Sequence, residues 1–198
     1  EFRRVLFRSK ENRQVLFEGN GYSDEWHAEA ARRGLPNNKT TVDALPALST
    51  AKAKKLFASF GVLTERELEA RAEINWERYV KVQNIEANLA LDIARTMIVP
   101  AVARHLALIG GATGSKGLAA AAKEVVGLAD TLVTRIDALD KAQKAAHKAS
   151  SVHAEAKVYK DKVIPAQNAL REVVDELETL VADDLWPMPK YRELLFQY

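Results

Sequence analysis

A chain of 198 residues, 47% of them hydrophobic and with only 9 Gly and 6 Pro, has the length and composition of one ordered domain with a core of its own. The absence of cysteine excludes disulfides, thiolate metal sites and cysteine nucleophiles, and agrees with an expected location in the reducing cytoplasm. The formal net charge of +2 is carried entirely by residues 1–9, where Arg3, Arg4 and Arg8 stand against Glu1. A sequence pI of 8.8 is therefore no sign of nucleic-acid or anionic-membrane binding, which requires Lys and Arg clustered on one face.

Residues 1–9, EFRRVLFRS, resemble a translated sequencing-library adapter and are set aside from fold reasoning as an artefactual tail; a genuine basic amphipathic end is the alternative. The chain opens with Glu rather than Met, which points to a fragment whose start lies upstream. Lys10 to Glu18 reads as the end of an element begun earlier, closed by the turn Gly19-Asn20-Gly21. Ser23 then caps a short helix with Asp24 and Glu25 in its first turn and Arg32-Arg33 in its last, matching the helix dipole, before Gly34 and Pro36 stop it. Leu35 to Thr50 is a connector with Asn38, Thr41 and Thr50 as candidate caps and a proline at Pro46, so only short helical turns are expected. Ala51 to Phe60 predicts another short helix, ending at Gly61, with Leu56, Phe57 and Phe60 on its apolar side. Residues 10–63 are thus short helices and a connector.

The stretch that organises the rest runs from Thr64 to Ile109. Thr64-Glu65-Arg66-Glu67 is a capping box, flanked by Leu63 and Leu68 as a hydrophobic staple. Leu68, Ala72, Trp76, Tyr79, Val82, Leu89, Ile93 and Met97 recur at helical spacing and predict one buried face. Beyond about Ala87, Leu91, Ile98, Val99, Val102 and Leu106 widen the apolar surface, so neighbouring helices should enclose that half. Pro100 lacks an amide donor and crowds the carbonyl four residues back, which predicts a kink or a split. The longest apolar run, Met97 to Ile109, contains Pro100, Arg104 and His105 and falls short of the roughly 20 residues needed to span a bilayer.

Gly110 to Gly117 is a small-residue loop. It is superficially similar to a phosphate-binding loop, but Lys116 follows Ser115, no Ser or Thr follows it, and a helix rather than a strand precedes it; an interhelical connector is the better reading. The third helix, Leu118 to about Ala149, carries Leu118, Val125, Leu132, Leu139 and Ala146 every seven residues, joined by Ala122, Ala129 and Ile136. The fourth, about Val152 to Ala182, repeats this with Val152, Tyr159, Ala166, Val173 and Leu180, joined by Ala156, Val163, Leu170 and Leu177. Two such helices joined by a short polar turn make an antiparallel hairpin. Ser150-Ser151 is the best turn candidate, while one continuous helix stays open because neither Gly nor Pro interrupts the segment. Pro165 predicts a second kink, matching that at Pro100. The tail from Trp186 is too aromatic and proline-fixed to be idle and should dock, on its own bundle or on another subunit. The expected fold is all-α: a kinked long-helix bundle over residues 64–184 with a C-terminal antiparallel helical hairpin, short helices on its N-terminal side, and a Pro/aromatic docking tail over 185–198.

No motif carries chemistry. His27, His105, His147 and His153 lie outside H-E-x-x-H and E-x-x-H spacing, which favours solvated or packed histidines over metal ligands. Glu86 falls near the expected buried line, a candidate buried ion-pair partner or interface contact. Trp26, Trp76 and Trp186 read as packing anchors. No residue is assigned as catalytic, cofactor-binding or metal-ligating.

Local signatures carry one further reading. They are Asn20-Gly21-Tyr22-Ser23 with Trp26, Gly34-Leu35-Pro36-Asn37 followed by Thr40-Thr41, Ala44-Leu45-Pro46-Ala47, and Leu56-Phe57 before Gly61-Val62-Leu63. Asn84-Ile85-Glu86-Ala87 and the ending Trp186-Pro187-x-Pro189-x-Tyr191-x-x-Leu194-Leu195-Phe196 complete them. In this order and spacing, over about residues 10–198, the chain resembles the C-terminal region of a type III glutamine synthetase. The resemblance implies an ATP-dependent ligase that phosphorylates glutamate and lets ammonia displace the phosphate, with ATP and Mg2+ or Mn2+ held by a catalytic domain upstream. It implies that this region binds none of them, and that its partners are its own catalytic domain and the other subunits of a homo-oligomeric ring, with neither nucleic acid nor membrane. A stand-alone helical interaction or scaffold protein is the alternative.

Overall fold

The computed structural model describes residues 10–111, 114–189 and 191–195. The adapter-like segment 1–9 lies outside the described residues, as do Ala112 and Thr113 of the interhelical loop, Lys190 and the last three residues of the tail. Every regular element among the described residues is helical. The chain divides into two compact units, one ending at Ala44 and the other beginning at Leu45.

In the first unit, Ser23 caps α1 (Asp24–Arg32), its hydroxyl accepting from the Trp26 amide at 3.3 Å. Gly34, at φ +72°, closes the helix: its amide reaches the Ala31 carbonyl and that of Leu35 reaches Ala30. This double closure needs the left-handed conformation that a side chain disfavours. Trp26 stacks on Phe17 with ring centroids 4.5 Å apart, and the Arg33 guanidinium lies 5.5 Å from the Trp26 centroid. The same guanidinium donates to the Gln14 and Leu16 carbonyls, tying the incoming segment to α1. Glu29 accepts from both Arg32 and Arg33. Thr40 caps the short α2 (Thr41–Ala44), accepting from the Asp43 amide. The expected caps Asn38 and Thr41 are therefore corrected: a cap stands just outside the helix, and Thr41 is already inside it.

In the second unit a 3₁₀ turn (Leu45–Ser49) leads into α3 (Ala51–Ser59), capped by Thr50 and closed by Gly61 at φ +60°. Leu56 and Phe60, expected on a buried side, are 53% and 74% exposed, because α3 packs on the rest of the unit through other residues. The long α4 (Glu65–Ile93) opens with the expected capping box: the Glu67 amide donates to the Thr64 hydroxyl and the Thr64 amide to the Glu67 carboxylate. Its buried line runs Leu68, Ala72, Trp76, Ala87 and Leu91, then on through Ala94, Ile98 and Val102. Val82 and Leu89 leave that line and face outward, a second correction. Following apolar residues alone skips Asn84, which the true seam includes.

Pro100 does not split the helix. A five-residue π-turn (Ala94–Ile98) joins α4 to α5 (Val99–Ile109), with the Val99 amide donating to the Ala94 carbonyl five residues back. Pro165 is served the same way. A π-turn (Tyr159–Val163) joins α7 (Val152–Val158) to α8 (Ile164–Leu180), and the Ile164 amide donates to the Tyr159 carbonyl. A proline removes one donor and crowds the preceding turn; widening that turn accommodates the ring without breaking the rod.

The hairpin forms as its periodicity predicts. On α6 (Lys116–Ala146), Val125, Leu132, Leu139 and Ala146 are all buried, whereas Leu118 at the open end is half exposed. The chain reverses before Ser151, whose hydroxyl caps α7 by accepting from the Ala154 amide at 3.2 Å. Leu170, Val173 and Leu177 of α8 close the core against α6 and α4. At the start of the tail Trp186 is buried in that core, whereas Leu194 and Leu195 are exposed; just before it, the Ala182 amide donates to Nδ1 of buried His105. The Trp186 indole nitrogen finds no partner among the described residues.

Gly127 lies inside α6, where an added Cβ meets nothing within 4 Å, whereas Gly61 holds a positive φ. Gly127→Ala should raise unfolding stability by about 0.5–1 kcal/mol and Gly61→Ala lower it by about 1 kcal/mol, a difference of sign that urea titration would resolve. In the first unit the hydrogen bond from Arg32, then that from Arg33, holds the Glu29 carboxyl down to about 2 from its usual 4.5. A lowered folded value stabilises above the usual one, so this contribution is complete above about pH 4.5 and disappears as the pH falls through about 2. Glu29→Gln should flatten that part of the acid unfolding curve followed by circular dichroism.

Candidate functional site

The side chains able to do chemistry are dispersed. His27 is exposed on α1, and His105 is buried as an acceptor. His147 faces Glu155 at 3.3 Å; His153 faces Glu73 at 3.4 Å and lies edge-on to Trp76 with ring centroids 4.7 Å apart. Among the described residues no three His, Asp or Glu side chains gather where a metal ion would bind. Glu86, expected near the buried line, is exposed and accepts from Gln83 at 3.3 Å. One residue along a helix is about 100° around it, enough to carry Glu86 off the face that buries Ala87.

The polar groups that do converge sit where α4, α6 and the second π-turn meet. Gln143 of α6 is buried, and its amide nitrogen donates to the side-chain carbonyls of Asn84 at 3.0 Å and Asn88 at 2.8 Å. The Tyr159 hydroxyl donates to the same Asn84 oxygen at 3.2 Å, and Asn88 adds a bond at 3.1 Å. Burial, and secondarily the charge of Glu155, pushes the Tyr159 phenol up to about 12. Beside this node Asp140 pairs with Lys144 at 2.5 Å and with Arg95 at 3.4 Å, and the Lys144 bond is the main reason its carboxyl titrates below the usual range. Amides are neither acids nor nucleophiles near neutral pH, and the Gln143 amide and the Tyr159 hydroxyl are already committed. The node orients helices; it does not transform a substrate.

Its consequence is a fixed outer face on α4. With Asn84 and Ala87 turned inward, Val82, Ile85 and Leu89 turn to solvent. Sequence reasoning missed the node because a buried Gln or Asn breaks an apolar repeat. The available signal was continuation of the third-helix heptad: Gln143 follows Ile136 by seven residues.

The family model described as the glutamine synthetase C-terminal domain matches residues 3–113. The chain belongs to that family. It is 34% identical over 197 residues to the type-3 glutamine synthetase of Dictyostelium discoideum, 33% over 196 residues to the glutamine synthetase of Bacteroides fragilis, and 30% over 207 residues to that of Butyrivibrio fibrisolvens. These alignments cover 92–93% of this chain, so they extend through the hairpin beyond the family match, but the chain spans only 27–28% of each relative's length. The resemblance to type III glutamine synthetases holds. In this glutamine synthetase domain several of the signatures have plain structural jobs. Asn20 takes the Tyr22 amide, Ser23 and Thr40 cap helices, Gly34 closes one, and Asn84 receives the node.

Gln143→Ala should lose about 1–3 kcal/mol, since it removes the bonds to Asn84 and Asn88 and leaves a void, and Tyr159→Phe about 1 kcal/mol. Because the folded phenol titrates above its unfolded value, its contribution is complete below about pH 10 and lost as pH rises through about 12. A tyrosinate absorbance step near pH 12 that vanishes in Tyr159→Phe would verify this.

Proposed function

We propose that this chain is the C-terminal region of a glutamine synthetase, the cytoplasmic enzyme that joins ammonia to glutamate at the expense of ATP, and that its helices serve subunit packing in a homo-oligomeric ring. The observation that carries the ligase reading is the family match over residues 3–113, supported by three glutamine synthetases aligned along 92–93% of the chain. In this reaction a glutamate carboxylate attacks the terminal phosphorus of ATP, and ammonia then displaces phosphate from the acyl phosphate. Divalent cations that neutralise such phosphates require converging oxygen ligands on a rigid frame. The described residues do not fit that group: their carboxylates are scattered or committed to ion pairs and caps, and no step is routed through them. Under this reading ATP and Mg2+ or Mn2+ belong to a catalytic domain outside this chain, with which residues 10–63 connect and against which the bundle packs. The packing role is supported by what the helices offer instead of chemistry: a hydrogen-bonded core that fixes helix register, and apolar side chains left exposed on α3, α4 and α6.

Purified residues 10–198 should form no glutamine from glutamate, ammonia and ATP. In the full-length enzyme, Leu132→Asp places a charge at a site only 1% exposed and should reduce particle size or stability. Native particle size and melting temperature in the Leu132 variant would count against the packing role.

A further inference from the structure

The outer face of α4 is ordered in a way that ordinary surface exposure does not require. Positions 78, 82, 85, 89 and 92 fall on one side of the helix, opposite buried Ala87 and Leu91. The centre is apolar: Val82 is 41% exposed, Ile85 64% and Leu89 56%. The ends are charged and of opposite sign, Arg78 toward the N-terminus and Asp92 toward the C-terminus. Each is seven residues from Ile85, both are exposed, and neither is engaged by an ion pair among the described residues. All five lie within regular α-helix, ahead of the π-turn, over about 21 Å of its axis.

We propose that this face pairs with the same face of a second copy of the chain, the two α4 helices running antiparallel about a twofold axis through Ile85. A twofold interface brings a residue n positions before the axis against the residue n positions after it in the partner copy. Arg78 of each copy then meets Asp92 of the other, forming two ion pairs that bracket the apolar centre. Ile85 packs on its own counterpart, and the alkyl stem of Lys81 lies along Leu89. A parallel pairing would set Arg78 against Arg78 and Asp92 against Asp92, so the charge order selects the antiparallel direction. The exposed Leu56 and Phe60 of α3 and Val126 and Val133 of α6 carry no comparable flanking order. The pairing rests on the reading of this domain as a packing module and names the surface and partner for it. A single helix face buries little area, so the isolated pair is weak and gains strength inside an assembly, where other contacts hold the copies together.

The test is sedimentation equilibrium of the 198-residue chain from about 10 µM to about 1 mM, the range in which so small an interface associates. The weight-average mass should climb from 22.0 kDa toward twice that value. Ile85→Asp should stay monomeric, and Arg78→Asp or Asp92→Arg should each weaken dimerisation by about tenfold or more. The double variant Arg78→Asp/Asp92→Arg should restore it, because the exchanged charges pair again across the axis. All these positions are exposed, so far-UV circular dichroism should stay that of the wild type and separates loss of pairing from loss of fold. A helical wild-type chain that remains monomeric at the highest concentration overturns the proposal, as it would if another part of a longer protein covered this face. A dimer indifferent to these substitutions, or a double variant no better than the singles, overturns it equally. None of these outcomes touches the ligase reading, which the full-length particle decides.

Discussion

Three long helical segments with alanine-rich seams can slide along one another at little cost, and the bond that stops them is the one from the Gln143 amide to Asn84 and Asn88. A methyl-lined contact tolerates a shifted register because dispersion has no direction. A buried amide does not: moved by one turn, Gln143 would lose both of its acceptors and leave its own donors unpaired at a buried position. Tyr159 adds a third helical segment to the same Asn84 oxygen, so a single node sets the positions of α4, α6 and the second π-turn together. Everything on the outside of α4 follows from what the node holds inside.

The two prolines work with this arrangement. Pro100 and Pro165 each follow a five-residue π-turn whose closing bond reaches five residues back. Tyr159 opens the second of these turns, so the residue that ties the fourth segment into the node also starts the widening that admits Pro165. Long helices with one proline apiece thereby stay continuous and still follow a neighbour that is not straight.

The ion pairs of the described residues are peripheral, His105 acts as an acceptor, His147 and His153 face glutamates, and Gln143 and Tyr159 are hydrogen-bonded inside. The membership of the glutamine synthetase C-terminal domain family is consistent with this economy, because the signatures by which the family was recognised are largely caps, closures and the Asn84 contact. No described helix is long and apolar enough to cross a membrane.

What the sequence determined by itself is whatever depends on neighbours within a few residues. The Thr64 capping box, the Ser23, Thr50 and Ser151 caps, the closures at Gly34 and Gly61 and the heptads through Leu132, Leu139, Val163 and Leu177 are local or periodic, and they were legible. What only the tertiary structure decided is which apolar side chains find cover and which polar ones do without water. Val82, Leu89, Leu56 and Phe60 are as hydrophobic as residues that are buried, yet all four are exposed. Asn84 and Gln143 are polar, yet they go inside because each satisfies the other across 59 residues of sequence, and Trp186 enters the core for want of any local rule. Hydrophobicity states a demand for burial; only the assembled fold supplies the neighbour that meets it.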